Sequence, residues 1–75
     1  MAVQLIEYRL RFRDSYTRRG ASRWWEIWEA PFSGKDRQLI GRTPAVVGDD
    51  EQADERLAVA KTHAQAMLAG LQARV

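Results

Sequence analysis

The residues whose types and spacing could do chemistry are arginines and tryptophans. Arg9, Arg11 and Arg13 recur at every second position, and Trp24 and Trp28 stand four apart around Glu26. In an extended strand the two-residue repeat is about 6.7 Å and keeps one face, so three guanidinium groups fall into a row beside two indoles. A guanidinium grips a phosphate or a guanine edge with two hydrogen bonds, and an indole face accepts a base or a sugar. Arg42 joins this face from a third strand, and Arg18, Arg19, Lys35 and Arg37 extend it at two turns. Ten of the twelve basic residues are arginine, which suits such contacts better than lysine would.

The same residues have two other uses. Arginines stack on tryptophans in solvated sheet faces, where Glu7 and Glu26 would balance them as cross-strand ion pairs. Exposed tryptophan and arginine are also the types most enriched where proteins grip one another. A nucleic-acid surface, a protein-binding surface and a purely structural face all stay open at this point.

Catalysis is not expected. The chain has one histidine, His63, no cysteine and no glycine-rich phosphate loop, and no serine or carboxylate is marked out as a partner for His63. The acids Asp49, Asp50, Glu51, Asp54 and Glu55 do not follow calcium-loop spacing, and they read as helix capping and dipole complement. The expectation is a binding protein with no metal and no cofactor.

The elements that must position these residues follow from periodicity. Residues 3–13 alternate, with Ile6, Tyr8, Leu10 and Phe12 on one face and Glu7, Arg9, Arg11 and Arg13 on the other. Residues 22–30 are rich in aromatic and branched side chains and end at Pro31, as a second strand would. There Trp25 and Ile27 form one row and Trp24, Glu26 and Trp28 the other. The glutamate argues that its row faces outward, and a one-residue slip would exchange the two rows. Residues 14–21 read as a basic hairpin connection, residues 32–37 as a turn around Gly34, and residues 38–43 as a shorter third strand stopped by Pro44.

Asp49 followed by Gln52 fits a capping box, so a helix is expected over about residues 50–72. Ala53, Leu57, Ala60, Ala64, Met67, Leu68 and Leu71 fall in one arc at helical spacing, the stripe needed to lie across a sheet. Val46 and Val47 have no firmer place than the sheet edge or the margin of the core. The fold class is therefore α+β, a three-stranded antiparallel meander packed on one C-terminal helix. On the helix back, Val59, Ala66 and Gly70 form a small-residue stripe that would suit a homodimer or simply face solvent.

At 75 residues the chain has room for one core, and a domain of this size buries only about 60% of the surface its unfolded chain exposes. The net charge is only +2, but residues 9–42 carry nine bases against four acids, a balance of +5, while residues 49–55 hold five acids and no base. No apolar run approaches a membrane span and the first ten residues lack a signal-peptide layout. A soluble, cytoplasmic protein without membrane contact is expected.

Trp25-Glu26-Ile27, Gly34-Lys35, Leu39-Ile40-Gly41 and the alanines Ala53, Ala60 and Ala64 together resemble the sheet-plus-helix DNA-binding domains of the AP2 type and the arm-binding domains of tyrosine integrases. The resemblance covers about two thirds of the chain and is one of pattern, so function must be argued from the site. It differs at Ile40, where the plant-type pattern has an aromatic residue, and in a longer first strand and a longer 43–50 link. It implies DNA contact through Arg23, Trp24, Trp28 and Arg42, with Arg9 and Arg11, the sheet entering the major groove. The leading expectation is a small module that binds nucleic acid, DNA before RNA, from a phage or another mobile element. The alternative is an inhibitor of a host protein complex, such as a CRISPR assembly or RNA polymerase.

Overall fold

The computed structural model describes residues 6–31 and 36–73. The expected start of the first strand at residues 3–5, the turn at Gly34 and the Lys35 side chain lie outside them. Strand β1 (Ile6–Thr17) and strand β2 (Gly20–Pro31) pair antiparallel along their whole length. Both are longer than periodicity predicts, because the connection is only Arg18-Arg19 and the residues expected to form a loop continue the ladder. Gly20 takes a φ of +117°, a conformation that a side chain disfavours, and closes the turn. Strand β3 (Gln38–Arg42) pairs with the other edge of β2. Strand β4 (Val46–Val47) joins that same edge beside Ser22 and Arg23, which settles the place of Val46 and Val47.

Directly opposed residues share a face of a sheet, so the register assigns every side chain. Leu10 opposes Ile27 and Phe12 opposes Trp25, on the face covered by helix α1 (Glu51–Gln72). Ile27 is only 1% exposed, and Ala53, Leu57 and Ala64 are the buried residues of the helix. The Trp25 indole donates to the Leu57 carbonyl at 3.1 Å, with Phe12 edge-on at 5.0 Å and the Lys61 ammonium 5.0 Å from the ring centroid. Alanines at the contact let helix and sheet approach closely, and the Met67 side chain lies near Gly41 of β3. Among the described residues, no helix is long and apolar enough to cross a membrane.

Strand β3 is not regular. Ile27 opposes Gly41 but Trp28 opposes Leu39, so Ile40 is an extra residue in a bulge. The bulge resets the alternation and sends both Leu39 and Arg42 to the face away from the helix. Beyond it, Thr43 closes the edge: its N–H donates to the Trp25 carbonyl at 2.8 Å and its Oγ1 accepts from the Trp25 N–H at 3.0 Å. Pro44 follows immediately, with no N–H to extend the ladder.

The helix N-cap is Asp50 and not Asp49: its Oδ1 accepts from the Ala53 N–H at 2.8 Å. The reason lies upstream. Gly48, at φ +108°, donates its N–H to the Ala21 carbonyl at 2.9 Å, which fixes the link to β2 and decides which aspartate reaches the helix. The Gln52 partner of the expected capping box thereby falls out of register. Gly70 lies within the helix, which continues to Gln72. Replacing Asp50 with alanine should cost about 1 kcal/mol of stability in chemical denaturation, whereas Asp49→Ala should stay within about 0.5 kcal/mol. Equal losses at the two positions would contradict this cap.

Candidate binding face

The face of the sheet away from α1 carries three rows. Glu7, Arg9, Arg11 and Arg13 come from β1, opposite Ala30, Trp28, Glu26 and Trp24 of β2, and Leu39 and Arg42 of β3 stand beside Trp28 and Glu26. The outward assignment of the Trp24, Glu26 and Trp28 row is the one expected from the sequence. What the sequence did not reveal is the state of these side chains. Glu26, although it faces outward, is only 6% exposed, because its neighbours close over it.

Both oxygens of Glu26 are occupied. Oε1 accepts from Arg13 Nε at 3.0 Å and from Trp28 Nε1 at 3.0 Å, and Oε2 accepts from Trp24 Nε1 at 2.9 Å. The indoles two residues before and after the carboxylate thus turn their N–H groups toward it, which leaves their ring faces as the chemistry they can still offer. Charge-assisted hydrogen bonds of this kind are about twice as strong as neutral ones. Burial alone would push the Glu26 carboxyl up, but the hydrogen bonds from Trp24, Trp28 and Arg13, with the Arg13 charge, outweigh it and hold the group below its ordinary value of 4.5.

The arginines divide by partner. Arg13 is tied to Glu26, and Arg9 makes an exposed pair with Glu7 at 3.1 Å. The Arg42 guanidinium carbon stands 6.0 Å from the Trp24 ring centroid, at the limit of a cation–π contact. Arg11, Arg37 and Arg42, and Arg18 and Arg19 at the hairpin tip, have no ion-pair partner among the described residues. Arg37 follows Asp36, which takes a left-handed φ of 63°. With Arg9, Arg11, Trp28 and Ala30 it lines a concavity of about 270 Å³.

Arg23 does not belong to this face. It opposes Asp14 on the helix side, where Nη2 lies 3.0 Å from Asp54 Oδ1 and donates to the Gly48 carbonyl at 3.0 Å. Its side chain is 14% exposed, held there because α1 brings Asp54 over β2. The resemblance to AP2-type domains had given it a contact role. The other acids at or just before the helix start lie exposed, as does His63 on α1. Among the described residues no group of three His, Cys, Asp or Glu side chains comes together as a metal would need. Val59, Ala66 and Gly70 are exposed on the helix back. Leu39 and Val47 are residues of the outer face that sequence reasoning missed, since nothing local announces the bulge that exposes the one or the pairing of the other with Ser22. No protein-family model, no curated protein and no solved structure matches this chain.

The Glu26 arrangement has a pH consequence. A carboxyl lowered by folding contributes stability that is present above its unfolded value and is lost as pH falls through the folded one. Acid denaturation of the wild type should therefore show stability falling below about pH 4.5, and Glu26→Gln should flatten that slope. Glu26→Ala, which leaves two indole donors and Arg13 without their acceptor, should cost roughly 1–3 kcal/mol at neutral pH. An unchanged acid slope in Glu26→Gln would rule out this carboxylate as its source.

Proposed function

We propose that the protein is a non-catalytic nucleic-acid-binding domain that works through the outer face of its sheet, with DNA favoured over RNA. The observation that carries the reading is the row Arg9, Arg11 and Arg13 against Trp28 and Trp24, with Arg42 alongside and Arg37 at the rim. Phosphate contacts come from the guanidinium groups, and stacking falls to the indole faces, whose N–H groups are already engaged by Glu26. From Arg37 at one end to Arg18 and Arg19 at the hairpin tip the basic track follows about nine residues of β2, or about 30 Å. The acids lie mainly elsewhere, at the start of α1, so the two sides of the molecule differ in sign.

A second reading, a protein partner of the inhibitor kind, is favoured by a different observation. Leu39 and Val47 stand on the same face, 45% and 69% exposed, and apolar groups beside arginine and tryptophan suit a protein contact. In either reading the domain acts in the cytoplasm, as part of a phage or mobile-element system. Val59, Ala66 and Gly70 offer a close helix contact between two copies.

Electrophoretic titration at two salt concentrations tests the leading reading. With about five phosphate contacts, affinity should fall by roughly a hundredfold for a single strand, and about five hundredfold for a duplex, between about 50 and 200 mM salt. No binding at low salt, or binding indifferent to salt, rejects the reading; a partner captured in stoichiometric amount after nuclease treatment favours the second. Arg23→Ala should lower the thermal midpoint while leaving the affinity of the folded protein unchanged, since its guanidinium serves Asp54 and Gly48. A loss of affinity as large as that of Arg11→Ala would return Arg23 to the interface.

A further inference from the structure

We infer that the concavity among Arg9, Arg11, Trp28 and Arg37 is a subsite for one nucleotide of a single strand, with the base on the Trp28 ring and its phosphate held by the arginines. This deepens the nucleic-acid reading and rests on it. It also departs from the use of the sheet in a duplex groove that the resemblance to AP2-type domains implies.

The two tryptophans are not equivalent. Trp24 has Arg42 near its ring, whereas Trp28 lines the concavity. Both indoles direct their N–H groups into Glu26, so neither offers a donor for reading base edges. What remains is a π-surface, and only an unpaired base has a face free to cover it; a duplex presents base edges and phosphates. Stacking on an aromatic ring is the chemistry by which single strands are held with little sequence preference.

The surroundings of Trp28 supply the rest of a nucleotide's needs. Arg9 and Arg11 rise from β1 on the same face, Arg9 directly opposite Trp28 and Arg11 opposite Glu26. Arg37, which immediately precedes β3 on the other side of β2 from β1, completes the lining. Arg11 and Arg37 have no carboxylate partner among the described residues, and Arg9 has only the exposed Glu7, so a phosphate would displace little. The volume, about 270 Å³, lies just below the roughly 300–1,000 Å³ of small-molecule sites and suits one nucleotide unit. Ala30 and the aliphatic stems of the arginines give its wall the apolar component that a base or sugar requires.

The test is a fluorescence titration at low salt with oligodeoxyuridylate and oligouridylate of about ten nucleotides, within the roughly 4–16 held by a single-strand-binding OB fold, and with a duplex of equal length. Trp28→Ala would also strip a donor from Glu26, so Arg11→Ala and Arg37→Ala, both at exposed positions, are the variants of choice. Their thermal midpoints check folding.

Quenching by either single strand, little competition from the duplex, and roughly tenfold weaker single-strand binding in each variant would support the subsite. The stronger of the two strands identifies the sugar preferred. Duplex binding equal to or tighter than single-strand binding overturns the inference while leaving the nucleic-acid reading intact. Single-strand binding unaffected by either variant overturns the subsite alone, and no binding by strand or duplex overturns both.

Discussion

An ionised carboxylate cannot enter an apolar core without a large cost, and Glu26 stands in the middle of the strand whose other face makes that core. That constraint sets the parity of β2. Trp25 and Ile27 must face the helix, and Trp24, Glu26 and Trp28 must face away. Because β1 and β2 pair without interruption, the parity of one is the parity of the other, and Arg9, Arg11 and Arg13 are carried to the outer face with the tryptophans. One side chain that refuses burial in the core therefore decides where the charge of the whole hairpin goes.

The same carboxylate then becomes largely covered by another route. Two indoles and a guanidinium supply the hydrogen bonds that replace water, so the group is buried and ionised on a face that nominally meets solvent. This matters for a domain with so thin a core. The buried apolar residues are mostly alanines, which permit close packing but remove little area from water per residue. The ordered outer layer of Trp24, Trp28 and Arg13 adds burial on the second face of the sheet, and it also fixes which groups stay available to a ligand. Structure and binding surface are built from the same three residues.

On the opposite face the helix start has a comparable double use. Asp50 caps the helix, Asp54 takes Arg23, and Gly48 supplies both a backbone tie to β2 and a carbonyl for the same arginine. The acids that looked like a dipole complement thus also neutralise a cation on the helix side. Apart from Arg56 on α1, the arginines without an ion-pair partner among the described residues lie on the outer face, at its rim and at the hairpin tip.

Periodicity alone determined the α+β class, the meander and the helix stripe through Ala53, Leu57 and Ala64, because a two- or 3.6-residue repeat is written locally in the chain; the outward row of tryptophans rested on the glutamate between them and stayed open to a one-residue slip until the register fixed it. The strand lengths around Arg18-Arg19 were less legible, since polar residues extend a ladder as readily as they form a loop once a partner strand lies alongside. The exposure of Leu39, the capture of Arg23, the choice of Asp50 over Asp49 and the closure of Trp24, Trp28 and Arg13 over Glu26 were decided only by the tertiary structure. Each depends on which backbone groups meet across strands or between sheet and helix, and that register is a property of the assembled sheet that no single segment encodes. The Arg/Trp face was visible in the sequence as a row of residue types; the fold determined which of its groups are already engaged and which remain free.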